Sequence, residues 1–203
     1  MAATPTQRRT APQNRVLDDG TVMLFGVIGD EWDGLTSAQV VEGIRGLGAR
    51  DEIHVLINSL GGAVDDGLAI YHELASNPAK VIVEITGVAA SMASGIAMAG
   101  DEIRMAKNAL FMLHDPWNVA IGNSEQLRRA ADLLDKWGTS LVSIYAERSG
   151  LPADEIREMM AANDGEGTWL SAEEAKELGF VDEIIAPVEA VAFADLDVSE
   201  LRA

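Results

Sequence analysis

The stretch Val81-Ile-Val-Glu-Ile-Thr-Gly-Val-Ala-Ala-Ser-Met-Ala-Ser-Gly-Ile-Ala-Met-Ala-Gly100 decides the fold. Its first five residues are β-branched except Glu84, the composition of a buried strand. At Gly87 the character changes to Ala, Gly, Ser and Met, which suits a tightly packed helix over Met92 to Ala99. Length alone would let this stretch cross a bilayer. A membrane span gives no reason for the change at Gly87, so a strand feeding a helix is the better reading.

Working outward, the same alternation recurs. Thr21–Ile28 reads as a buried strand, and Leu35–Leu47 as a helix with Val40, Val41, Ile44 and Leu47 on one face and Thr36 or Ser37 as its cap. Ile53–Ile57 is a second strand, and Asn58-Ser-Leu-Gly-Gly62 reads as a turn. Val64–Leu74 is helical and stops at Asn77-Pro78. Two short strands follow the central stretch, at Glu102–Met105 and Ala109–Leu113. Strands alternating with helices imply βαβ crossovers and an α/β fold.

A long helix is expected over Ser124–Arg148, with Leu127, Ala131, Leu134, Leu141 and Tyr145 on one face. At about 1.5 Å per residue it is a rod of about 37 Å. It either packs along the core or projects as an arm toward another subunit. Helices over Pro152–Ala162 and Ser171–Leu178 and a strand over Phe180–Ile185 complete the pattern. Residues 1–15, rich in Pro, Thr, Gln and Arg, read as a flexible arm, residues 16–186 as one domain, and residues 187–203 as a tail without clear pattern.

Composition narrows the function. The 203 residues are 48% hydrophobic, enough for a sizeable core. They carry 33 acidic and 15 basic residues, a net charge of −18, which disfavours nucleic acid as a partner. Cysteine is absent, so disulfides, thiolate catalysis and cysteine-ligated zinc are excluded. That suits a reducing cytoplasm. No secretory signal is legible near the first residue, because no apolar run follows Arg8, Arg9 and Arg15.

Ser91 stands between a strand and a helix, among small residues that let a substrate backbone approach. Unpaired N–H groups at such a helix start stabilise an oxyanion when the hydroxyl attacks a carbonyl. The plainer alternative is a serine that only caps the helix. A nucleophilic serine needs a base, and the chain has three histidines. His54 lies within a strand and His72 beside Glu73 on a helix. His114 ends a strand 23 residues after Ser91, and strand ends are where α/β folds meet ligands. His114 is therefore the best-placed base. Acidic residues are too common for spacing to select an orienting carboxylate. Gly61-Gly62 is either a backbone cradle or an ordinary turn.

Several strings together resemble one family, the proteolytic subunit of the Clp protease (ClpP), within the wider superfamily that includes signal-peptide peptidase A. They are Ile57-Asn-Ser-Leu-Gly-Gly62, Gly67-Leu-Ala-Ile-Tyr71, Gly87-Val-Ala-Ala-Ser-Met92, Ala99-Gly100, Phe111-Met-Leu-His-Asp-Pro116 and Trp169-Leu-Ser-Ala-Glu-Glu-Ala175-Lys-Glu-Leu-Gly-Phe-Val-Asp182, in family order. The resemblance implies a ClpP/crotonase-like spiral of ββα units with the long helix as a projecting handle. It implies Ser91 as nucleophile, His114 as general base and the backbone N–H groups of Gly62 and Met92 as oxyanion donors. No metal or organic cofactor is needed. It also implies polypeptide substrates and homo-oligomeric rings, heptamers or stacked double heptamers, fed in many members by an AAA+ ATPase.

The chain departs from the family at two places. Leu60 stands where a proline is usual. Gly167 stands two residues before Trp169, where the family carries the third member of the triad, an Asp. Asp164 and Glu166 are the nearest carboxylates, with Asp164 slightly favoured; a Ser–His dyad is the other possibility. The Ala90-to-Gly100 run and His114-Asp-Pro-Trp117 resemble phage- and prophage-encoded members, which implies head maturation on capsid or scaffold proteins. The N-terminal arm and the Gly29–Gly34 loop also differ from the housekeeping enzyme, against docking of a Clp ATPase. Two rival readings are an enoyl-CoA hydratase or isomerase, which shares the architecture, and a catalytically inactive ring subunit.

Overall fold

The computed structural model describes residues 15–29 and 36–186. The expected arm apart from Arg15, the Gly29–Gly34 loop apart from Gly29, and the tail over 187–203 lie outside the described residues.

Four long or medium strands lie parallel in chain order: β2 (Thr21–Ile28), β3 (Glu52–Gly62), β4 (Lys80–Ala90) and β5 (Glu102–Ala106). β1 (Arg15–Val16) pairs antiparallel with β2 at one edge, so Arg15 belongs to the sheet rather than to an arm. β8 (Glu183–Ile185) pairs parallel with β5 at the other. β4 divides its pairing: Ile82–Ile85 run beside β5, whereas Val88–Ala90 run beside β6 (Leu110–Leu113). β6 in turn takes β7 (Thr168–Ser171) antiparallel.

Crossover helices follow the strands: α1 (Ser37–Gly46), α2 (Val64–Ala75) and α3 (Met92–Ala97). Thr36, not Ser37, caps α1, through a reciprocal capping box with Gln39. Inward positions of β3 bury Ile53, Val55 and Ile57 while Glu52, His54 and Asn58 face outward, so one face of the sheet carries the core. The α/β expectation is met.

Asn58 to Gly62 is strand, not turn. β3 runs on to Gly62, paired with Ile28 of β2. A register shift between Ile57 and Ser59 accommodates the change, and Asn58 Oδ1 accepts the Val88 N–H at 3.2 Å across that irregularity. β4 likewise extends five residues past Ile85, because β6 supplies a new partner for Val88–Ala90. The strand expected over Phe180–Ile185 is confined to Glu183–Ile185, and β7 is a strand that the sequence pattern does not announce.

α4 (Ser124–Ser149) starts on a capping box of Asn123 and Gln126 and ends at Gly150 in the left-handed region. Only its C-terminal part enters the core, through Leu141, Val142, Ile144 and Tyr145. Leu127, Ala131 and Leu133 remain exposed, so the helix projects. α5 (Ala153–Ala161) packs against α4, and α6 (Ala172–Glu177) follows β7 after a capping box of Ser171 and Glu174. Among the described residues, no helix is long and apolar enough to cross a membrane.

Candidate active site

β4 ends at Ala90 and α3 begins at Met92, which leaves Ser91 to turn the chain alone. It does so at φ 56°, ψ −129°, a conformation that L-residues rarely adopt and that costs on the order of 1–3 kcal/mol. Its N–H donates to the Met112 carbonyl at 3.0 Å, which extends the β4–β6 ladder by one bond. The turn therefore holds the Ser91 side chain beside the end of β6.

His114 follows β6 directly. Its Nε2 lies 2.7 Å from Ser91 Oγ. With the neutral ring protonated on Nδ1, the hydroxyl donates to Nε2, the arrangement a general base requires. Burial pushes the His114 imidazole below the ordinary histidine range, and the charge of Asp115 partly opposes this. Burial thus favours the neutral form of the ring. The other histidines stand apart: His54 is exposed beside Glu52 at 3.6 Å, and His72 is exposed on α2.

The glycines of β3 abut the turn. A Cβ on Gly61 would lie 2.7 Å from Ser91 Cβ and 3.0 Å from the Met92 nitrogen. A Cβ on Gly62 would lie 2.1 Å from the Ile28 carbonyl oxygen. Only glycine lets β3 pass this close to both neighbours. Ser59, 1% exposed, donates to the Gly26 carbonyl at 2.5 Å and accepts the Gly61 N–H at 3.0 Å, which fixes that strand end. A cavity of about 510 Å³ opens over the turn, lined by Leu60, Gly61, Gly62, Ser91, Met112, His114, Trp117 and Trp137 among others.

The carboxylates are arranged differently. Asp164 and Glu166 are both exposed, and no hydrogen bond or ion pair joins either to His114. Asn163 and Asp164 both adopt positive φ, 54° and 59°, in the short 3-10 turn Asn163–Gly165. Position 167 itself has no room for a side chain: a Cβ there would sit 2.4 Å from His114 Cβ and 2.2 Å from the Leu113 carbonyl oxygen. Among the described residues, no group of three or more His, Cys, Asp or Glu is placed to hold a metal ion.

Sequence reasoning missed three contributors. Ser94, one helical turn after Ser91, could have been found by its spacing. Ser59 was absorbed into a supposed turn. Tyr145 lies 54 residues from Ser91, and its place on the apolar face of the long helix does not announce that contact.

Comparison with known proteins agrees with this architecture. Two curated relatives, both "ATP-dependent Clp protease proteolytic subunit", come from Streptococcus pneumoniae strains Hungary19A-6 and 70585. Each is 34% identical over 180 residues, which covers 85% of this chain and 88% of the relative. Among solved structures, a single-substitution mutant of ClpP1 from Listeria monocytogenes superposes with a TM-score of 0.72 at 26% identity, over 83% of this chain and 92% of that one. The fold is therefore that of ClpP. The sequence model of the Clp protease family matches residues 5–188, and with this coverage the chain belongs to the Clp protease family.

Proposed function

We propose that this chain is a serine endopeptidase that cleaves polypeptides through an acyl-enzyme. The observation that carries the reading is the 2.7 Å contact between His114 Nε2 and Ser91 Oγ, made at a strained turn that has no other evident purpose. It favours hydrolysis over the enoyl-CoA reading, which needs neither side chain.

Ser91 Oγ attacks the scissile carbonyl while His114 Nε2 takes its proton. The tetrahedral oxygen accepts hydrogen bonds from the backbone N–H groups of Gly62, which lines the same cavity as Ser91, and of Met92, the first residue of α3. His114 then gives the proton to the leaving amine. In the second half, water attacks the acyl carbonyl, gives its proton to His114, and Ser91 Oγ is released. Asp164 is the proposed third member, with Glu166 the alternative. In this reading it reaches the imidazole by a reorientation of the Asn163–Gly165 turn, where Asn163 and Asp164 stand at positive φ. Without that movement, Ser91 and His114 work as a dyad.

The projecting part of α4 supports assembly into homo-oligomeric rings, seven-membered or stacked in pairs, around a shared chamber. The resemblance to phage-encoded members supports a cytoplasmic role in trimming capsid or scaffold protein, with an AAA+ ATPase as the partner of a general degradative role instead.

The test is mass spectrometry after incubation with a fluorophosphonate, on wild type and Ser91→Ala, with the oligomer mass recorded first. A single adduct on Ser91 in a ring-sized species supports the reading. An intact ring with no adduct refutes it and favours an inactive ring subunit.

A further inference from the structure

Behind the nucleophile lies a buried polar contact that the proposed reaction does not use. Ser94 and Ser59 are the buried polar side chains among the described residues, and both stand against the site. Ser94 is fully buried on α3. Its Oγ lies 2.6 Å from the Ser91 carbonyl oxygen, 2.6 Å from the Met112 carbonyl oxygen and 2.8 Å from the Tyr145 hydroxyl. Tyr145, 1% exposed, sits on the embedded end of α4 and reaches the Ser91 carbonyl itself at 3.3 Å.

Two protons serve these contacts, one on each hydroxyl. Burial pushes the Tyr145 phenol far above its ordinary range, so it keeps its proton. Either hydroxyl can donate across the Ser94–Tyr145 contact; when Ser94 O–H donates to the Met112 or Ser91 carbonyl, Tyr145 O–H donates to Ser94 Oγ. The Met112 carbonyl already accepts the Ser91 N–H and lies two residues before His114. The network thus touches the nucleophile's own peptide groups and the strand that carries the base. A positive-φ residue persists only where its surroundings over-determine it. Here the surroundings include a side chain from the projecting helix.

We infer that Ser94 and Tyr145 are positioning residues that hold Ser91 in its strained conformation. The inference rests on the reading of Ser91 as nucleophile. Neither residue touches substrate. Tyr145 packs edge-on against Phe180 with ring centroids 6.0 Å apart, a contact that phenylalanine preserves.

The experiment uses the full chain and the fluorophosphonate, with Tyr145→Phe and Ser94→Ala. Acylation rate is measured against probe concentration, and amide hydrogen exchange is followed over residues 88–97. Losing one such hydrogen bond is expected to lower the maximal acylation rate about three- to tenfold, with half-saturating probe concentration unchanged. Exchange near residue 91 should rise in both variants, and the double variant should lose little more than either single one. A residue that only stabilises the core would shift the melting temperature without this split. Tyr145→Phe that acylates within twofold of wild type and exchanges like it overturns the inference. If wild type carries no adduct, the nucleophile reading fails, and the positioning role falls with it; exchange that is also unchanged in the variants shows that the contact itself holds nothing.

Discussion

Replacing Gly61 with alanine tests the claim that β3 presses on Ser91. Gly61 adopts φ +97°, where an L side chain is strained by about 1–2 kcal/mol. The new methyl also meets Ser91 Cβ at 2.7 Å and the Ala90 carbonyl oxygen at 2.8 Å. Carbon atoms pack comfortably at about 3.5–4.0 Å, so the turn must retreat by about 1 Å. Overpacking of this kind costs a further 1–3 kcal/mol or so. The expected loss of stability is about 2–5 kcal/mol, which a domain of ordinary stability survives. A retreat of about 1 Å at the reacting atoms lowers turnover about 10²-fold. Gly150→Ala is the control: it too has a positive φ, +76°, but its Cβ would meet nothing within 4 Å. It should lose only the conformational part, about 1–2 kcal/mol, and acylate normally. Urea unfolding and fluorophosphonate acylation of both variants measure the two terms. The reasoning is refuted if Gly61→Ala unfolds no earlier than Gly150→Ala and acylates within twofold of wild type.

Other consequences are as direct. His114 titrates below the ordinary histidine value of about 6.5, so the acid limb of the pH–rate profile should fall below that pH. Asp115→Asn removes the opposing charge and should move the limb lower still. Stability follows the same sign: the unfolded chain binds the proton more readily, so this contribution is present above the unfolded pKa and is lost as pH falls through the folded one. Unfolding of wild type and His114→Phe across that window measures it. Asp164→Asn is expected to reduce turnover more than Glu166→Gln; wild-type rates in both establish a dyad. Leu141→Ala, at the start of the embedded part of α4, should cost about 2–5 kcal/mol in urea unfolding, because a buried leucine leaves a cavity.

Much of this molecule was legible in its sequence where structure is local. The change of composition after Ile85 announced a helix to come and so placed Ser91 near its start, although the strand itself runs on through Gly87 to Ala90. The run Ala109–Leu113 placed His114 at a strand end. What misled was glycine. Gly61 and Gly62 read as a turn because glycine is common in turns, yet here it serves close approach between neighbouring backbones. Nothing within Asn58–Gly62 reveals that Ile28 and Ser91 lie against it. The same limit hid Tyr145, whose helical spacing announces burial but not a partner on another helix. The third carboxylate was ambiguous for a related reason. Position 167 is decided by the backbone of Leu113 and His114, far away in the chain.

The pairing of Leu113 with Thr168 has a consequence for how this chain tolerates change. Everything between them, α4 and α5 included, leaves the sheet at one point and returns beside it. Such an excursion is a cassette with both ends clamped. Lengthening it adds little to the entropy of closing it, about 0.6 kcal/mol for each doubling. Changes in its length, or in the projecting part of α4, therefore cost the sheet little, provided that His114, the embedded end of α4 and the Asn163–Gly165 turn are kept.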